Sequence, residues 1–362
     1  MTTIHVPFER WTNMPWLDER TILLTVHGSR AYGLNRATSD VDVKGIAVPP
    51  REVLHGYLSS FEQAELREPI DCVIFDIRKF CRLAAEANPN IIEILFTDPK
   101  HWIRTTPQHE RLWRSRHLFL SRRVRYTFAG YAHAQLKRIE GHYRWLKHPP
   151  THKPTRAEFK LPEGPTIPKE QRDTIEGLIK ARLASWRLDL EPLDEASKIQ
   201  FESRMEEILL EIGIASRDDL WEAAGRSLGL GDNLMEVLRS ERTYRSKCEE
   251  WDAFRQWQRN RNAARHELEA KFGYDTKHAM HLVRLLRMAG EMLRMGEVIV
   301  ERPDREELLA IRDGAWTYEA LVDWAKAQDA ELERMYKDST LQREPDRAAI
   351  DRLCREVVES ML

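Results

Sequence analysis

The sequence predicts an α+β protein: a small strand-and-helix domain followed by a largely α-helical region. Three observations carry that reading. Short β-branched apolar runs are concentrated in the first 77 residues. A helical segment follows directly on the third of them. From about residue 106 onward the strand signal fades and helical periodicity takes over.

TILLTVH (21–27) is an apolar, β-branched run ended by Gly28 and Ser29, and it reads as a buried strand. SDVDVKGIAV (39–48) alternates, then runs apolar and stops at Pro49-Pro50, which makes a second strand. PIDCVIFDI (69–77) is a third. DIRKFCRLAAEA (76–87) has helical spacing of Phe80, Leu83, Ala84 and Ala87, with Asp76 as a natural N-cap. Asn88-Pro89 stops that helix, and IIEILF resumes apolar character. Residues 121–148 form one long, basic, aromatic-rich helix. Residues 149–168 are proline-rich and polar, a linker or ordered loop. Helical periodicity resumes at about 169 and continues nearly to residue 362, punctuated by Gly229, Gly231, Gly273 and Pro303. EVIVERP (297–303) reads as one short late strand. The expected organisation is 1–115, the strand-containing domain; 116–165, the basic helix and linker; 166–272, a helical segment; and 273–362, a C-terminal helical domain.

Composition sets the outer limits. A chain of 362 residues predicts two or three folding units. The 11 Trp and 11 Phe can build a core, and the 32% of charged residues are interleaved with apolar ones, as in solvated helices. No apolar run approaches the ~20 residues needed to cross a bilayer. The N-terminal residues lack the features of a signal peptide, and cysteines 72, 81, 248 and 354 show no CxxC spacing. A cytoplasmic setting without membrane attachment is the expectation.

The net charge of -2 hides an uneven distribution. Residues 100–160 hold 15 Lys and Arg against three acids, Glu110, Glu140 and Glu158, so the rest of the chain carries the balancing negative charge. Two readings are open: a polyanion partner, or a basic face that pairs with acidic helices of the same chain. The histidines of residues 101–152 lack the paired spacing of a zinc site, so no structural metal is expected.

The chemistry lies in HGSRAYGLNRATSDVDVKGI, residues 27–46. A Gly-Ser pair directly after a buried strand turns the chain sharply into a helix, placing N–H groups and the Ser29 hydroxyl where a phosphate can sit. Gly28 has no Cβ, so a nucleotide can approach the backbone closely. Asp40 and Asp42, two apart on a strand, project from one face. Two such carboxylates repel unless a cation lies between them, and hard oxygen ligands suit Mg²⁺ completed by phosphate oxygens. Each part alone has a dull explanation, since Gly-Ser turns are common and a strand Asp can guard an edge. Their order along the chain is what points to function.

The pattern resembles the DNA polymerase β-type nucleotidyltransferases: Gly-Ser, about a dozen residues, Asp-x-Asp, then a third acid on a later strand. Within that superfamily GSRAYGLNRATSDVDVKGI resembles the RNA-ligase-associated, Pnk-like nucleotidyltransferases, as do residues 76–96, 128–146 and 277–314. The resemblance implies a small mixed-sheet, polymerase β palm-like domain, and it leaves residues 166–270 as an insertion. It also implies RNA repair or end-processing. The third acid of the superfamily lies within a strand beside the Asp-x-Asp strand, which selects Asp71; Asp76, at a strand-to-helix junction, is explained by capping.

The implied reaction is in-line attack on the α-phosphorus of a nucleoside triphosphate, with two Mg²⁺ ions held by Asp40, Asp42 and Asp71. Arg30 and Lys44 flank the site as phosphate contacts or as plain surface charges. Lys277, His278, His281 and Arg284 lie at helical spacing and could clamp the triphosphate, or could form the polar face of a helix whose Leu282, Leu285 and Leu286 fill the core. Arg122, Arg123, Arg125 and Arg138, near Tyr126, Tyr131 and Trp145, are the candidate RNA contacts. Two alternatives to RNA modification stand beside it: transfer of AMP to a protein or small molecule, and a non-catalytic nucleotide-binding scaffold.

Overall fold

The computed structural model describes residues 4–186, 217–260 and 263–362. The chain divides into two compact units, residues 1–147 with 262–362, and residues 148–261. Residues 1–115 and 273–362 therefore share one unit.

The first unit holds a five-stranded mixed sheet of order β3-β4-β2-β1-β5. Its strands are β1 (Thr21–His27), β2 (Asp42–Ala47), β3 (Gln63–Leu66), β4 (Asp71–Asp76) and β5 (Trp102–Thr105). β1 lies between β2 and β5, antiparallel to both, and all seven of its residues are buried. Its buried Thr21 and Thr25 hydroxyls donate to Leu17 O and His101 O, which removes the cost of polar groups in a core strand. β2 and β4 form the one parallel pair of the sheet.

The remaining elements of the unit are helical. α1 (Gly28–Ala31) is a single turn after β1, and α2 (Arg51–His55) follows β2. α3 (Ile77–Ala85) is capped by Asp76, whose carboxylate accepts from Arg78 N at 2.6 Å. α4 (Pro89–Leu95) begins on an Asn88 cap. α5 (Val124–Lys147) packs along α6 (Thr276–Met295), with α7 (Tyr318–Asp338) beside both. α8 (Arg347–Glu359) lies against α3. Phe80, Ile92, Phe128, Leu282 and Leu286 join one continuous core, and Trp11, Leu17, Leu24 and Ile74 a second. No helix among the described residues is long and apolar enough to cross a membrane.

The second unit packs helices Lys169–Trp186, Arg217–Ser227 and Asp232–Arg259 around Ile179, Trp221, Met235 and Leu238. The helical reading of residues 187–216 falls outside the described residues.

The structure corrects several element assignments. IIEILF belongs to α4, where Asn88-Pro89 starts a helix as well as ending one. Residues 297–303 are not a strand; the Arg302 N–H instead donates to Tyr32 O at 3.0 Å. β3 and β5 carry only four residues each, too short for periodicity to register. β2 begins at Asp42, so Asp40 precedes the strand and alternation does not set its direction.

Candidate active site

The site is built where β1 ends and β2 and β4 begin. Asp42 and Asp71 are register partners across the parallel pair, which brings their side chains to neighbouring positions on strands about 4.8 Å apart. Two residues along β2, on the face shared with Asp42, Lys44 reaches Asp71 with Nζ 3.3 Å from Oδ1. Asp40 is held by a different device. Arg30 donates to Ser39 O at 2.9 Å and Asp40 O at 3.2 Å, and Ser39 Oγ accepts from Arg36 N. Arg30 therefore fixes the loop that carries Asp40.

Gly28 turns the chain at φ +64°, a conformation that L side chains rarely adopt. A Cβ at this position would lie 2.1 Å from Asp42 Oδ2. The space beside the turn belongs to the carboxylate, so the glycine and the aspartate form one fitted pair. The turn is secured from the C-terminal part of the chain by the Arg305 guanidinium, which donates to Gly33 O.

Electrostatics bind the three acids together. Burial pushes the Asp42 carboxyl above its usual range, and the charges of Asp40 and Asp71 push it further; Lys44 and Lys277 oppose them. Lys277, half-buried in the first turn of α6, thus lies close enough to act on Asp42. Half-buried His281, one turn further along, is held well below its ordinary pKa by burial and by Arg284, Lys277 and His278. Its surroundings favour the neutral imidazole.

The other two members of the α6 cluster are engaged within the fold. His278 Nδ1 lies 2.6 Å from Asp275 Oδ2. Arg284 is buried, pairs with Glu93 and stacks over the Tyr32 ring at 3.8 Å. It does not stand free to clamp a triphosphate. Instead it belongs to a network beneath the Gly28 turn: the Tyr32 hydroxyl donates to Glu93 Oε2, and His27 Nε2 lies 3.8 Å from the same oxygen. Burial lowers His27 to about 4, leaving it uncharged at neutral pH. Glu93 escaped the sequence reading, although a lone charge in Ile-Ile-Glu-Ile-Leu was the available signal.

The basic stretch resolves toward internal pairing. Arg125 is buried, 3.0 Å from Asp329 and 3.5 Å from Glu333. Arg123 meets Glu344 at 3.1 Å, and Arg122 donates to Leu341 O at 2.8 Å. Arg104 pairs with Asp18 and Arg111 with Glu356. Of the four arginines predicted to contact RNA, Arg138 is the exposed one without an ion pair among the described residues. In the histidine-rich stretch, the metal-binding atoms of His142, Glu269 and Asp275 come within 4.8 Å of one another. All three also have other partners.

Residues 5–150 match the RlaP family, described as an RNA repair pathway DNA polymerase beta family. This part of the chain is similar to that family. A relative, an uncharacterized 38.9 kDa protein of Enterobacteria phage T4 from the nrdC-mobD intergenic region, is 30% identical over 90 residues. That alignment covers 22% of this chain and 27% of the phage protein, so the chain spans little more than a quarter of its relative's length. No solved structure matches. The RlaP segment contains the Gly28 turn and all three carboxylates, whereas Lys277 and His281 lie beyond it. Nucleotidyl transfer is the general class of activity that a polymerase β-like family implies.

Proposed function

We propose that the protein is a Mg²⁺-dependent nucleotidyltransferase that moves a nucleoside monophosphate from a nucleoside triphosphate to a hydroxyl, with an RNA end as acceptor. The observation that carries this is the meeting of the Gly28 turn with Asp42 and Asp71 in register on adjacent strands. The donor set fits a hard cation. Burial, and then the charges of Asp40 and Asp71, raise the pKa of Asp42, and the space a Gly28 side chain would need is filled by a carboxylate oxygen. Asp40, Asp42 and Asp71 would hold the metal. Bound there, Mg²⁺ would neutralise triphosphate charge and acidify the attacking hydroxyl.

The chain's own groups do the positioning. The Ser29 hydroxyl and the N–H groups of the Gly28 turn orient the phosphates. Lys44 and Lys277 supply positive charge close to Asp42. Exposed Asp71 is the group available to accept the proton of the attacking hydroxyl. Catalysis of this kind is mostly alignment and charge compensation, so few further residues are needed. RNA as acceptor is supported by the RNA repair description of the family; the arginines of residues 122–138 add little, because Arg123 and Arg125 are paired internally.

The test is incubation with α-labelled ATP, GTP, CTP and UTP, Mg²⁺, RNA carrying free ends, and mixed protein. Label on RNA, abolished by Asp42→Asn, supports the proposal. Label on protein with none on RNA would replace the acceptor. No transfer of any kind, despite nucleotide binding, would leave a scaffold.

A further inference from the structure

A cavity of about 710 Å³ lies at the end of the sheet opposite the carboxylates, between α3 and α8 with α2 at its edge. Asp71 and Asp76 are the two ends of β4, separated by five residue steps or roughly 16 Å. Arg78, just past Asp76, lines the cavity. A molecule held there does not touch the candidate active site.

The lining has two characters. Ala85, Ile350, Cys354 and Val358 give it an apolar floor. Around the rim stand Arg51, Arg82 and Arg347, all exposed and all without an ion pair among the described residues. Unlike Arg104, Arg111, Arg123 and Arg125, which find carboxylates, these three leave their guanidinium groups open to a ligand, and they are gathered at one cavity. Arg78 and Arg355, also on the rim, are paired with Asp76 and Asp351. His55 adds an exposed ring, and Glu359 a carboxylate on the α8 side.

We infer that this cavity binds a nucleoside phosphate, presented free or as the terminal nucleotide of an RNA chain. The size suits a small organic ligand. Unpaired guanidinium groups present forks that match phosphate oxygens two at a time. The apolar floor and the His55 ring offer surfaces against which a base can lie, and Glu359 can accept from an exocyclic amine. Acids on the same rim disfavour an extended polyanion running across it. The lining therefore suits a ligand with its negative charge at one end and a flat base that can lie on the apolar floor.

The experiment uses the full chain in Mg²⁺-free buffer. Binding of fluorescent AMP, of a short 5′-phosphorylated RNA and of its unphosphorylated counterpart is followed by anisotropy. The proteins are wild type, Asp42→Asn/Asp71→Asn, and Arg82→Glu/Arg347→Glu, each checked for unaltered thermal unfolding; Arg82→Gln/Arg347→Gln stands in if the charge reversal perturbs folding. Mg²⁺-independent binding that survives loss of the carboxylates, and weakens at least about tenfold on loss of the arginines, is the expected result. AMP binding identifies the free nucleotide as a ligand, and a preference for the phosphorylated RNA identifies the chain end. Arginine variants that bind as wild type does, or equal competition by inorganic phosphate, would overturn the inference. The outcome is independent of whether labelled nucleotide is transferred at the carboxylates.

Discussion

The buried pair of Arg284 and Glu93 offers the most stringent check on how the site is assembled. Glu93 is fully buried in α4, and Arg284 is 4% exposed in α6. Their contact, together with the Tyr32 hydroxyl on Glu93 Oε2, ties α6 to the turn that carries Gly28 and Ser29. Truncating one member leaves the other as a buried charge, which costs about 3–5 kcal/mol. That is a large part of a total stability of about 5–15 kcal/mol. At roughly 2–4 °C per kcal/mol for a domain of this class, Arg284→Met or Glu93→Leu alone should lower Tm by about 6–20 °C. The double variant should recover most of the loss, because an apolar pair of similar volume replaces both charges and their desolvation cost. Tyr32 then keeps a partner in His27 Nε2, 3.4 Å away. Thermal unfolding of the four proteins, followed by calorimetry, reads the coupling directly. Losses that simply add in the double variant, or single losses below about 1 kcal/mol, would refute the argument that a desolvated ion pair seats the turn.

Other expectations follow from the same geometry. Gly28→Ala forces a Cβ into a positive-φ position and against Asp42 Oδ2; about 1–2 kcal/mol of stability should be lost from the backbone alone, and nucleotidyl transfer should fall to background in the labelled-NTP assay. Asp42 has a raised pKa, so its ionised form opposes folding, a penalty absent in acid and incurred as pH rises through the raised value; Asp42→Asn should therefore raise the Tm of the metal-free protein at pH 7 while abolishing transfer, and an unchanged or lower Tm would contradict it. His27 and His109 are both lowered from 6.5 to about 4 by burial. The unfolded chain takes up these protons first, so stability should fall as pH drops from 6.5 to 4, by about 3 kcal/mol for each group; His109→Gln should flatten that slope in urea titrations. Arg125→Ala should lower Tm by breaking contacts to Asp329 and Glu333, whereas exposed Arg138→Ala should leave Tm within about 1 °C.

Where the chain's own pattern decides local structure, it could be read directly. β1 is an unbroken apolar run and was legible residue by residue, and so was the Asp76 cap on α3, because each depends on neighbours in sequence. The sharp turn at Gly28 was legible for the same reason, and the structure sets it directly against Asp42. Asp40 was misjudged because strand alternation was extended two residues too far; the loop is held by Arg30, a contact no periodicity encodes. The fates of Arg125 and Arg284 were not legible at all. Both sit at positions where a helical wheel shows a cation, and only the approach of Asp329 or Glu93, some 200 residues away in sequence, decides that the charge is internal.

The parts of the candidate site are correspondingly shared between distant stretches of the chain. The family-matched segment ends at residue 150 and holds every carboxylate of the candidate site. It lacks α6, and with it the guanidinium that compensates Glu93 and the ammonium that acts on Asp42. Without α6, Glu93 would remain a carboxylate inside a helix whose other residues are largely buried and apolar, a position that costs several kcal/mol for an uncompensated ion. The same face of α5 that packs on α6 would lie open, exposing Phe128 and Ala132. The carboxylates of the candidate site and the groups that stabilise the body presenting them are therefore placed in different parts of the chain. Residues 262–362 belong to the same compact unit because the first 147 residues contain a buried charge and an apolar helix face that they cannot satisfy by themselves.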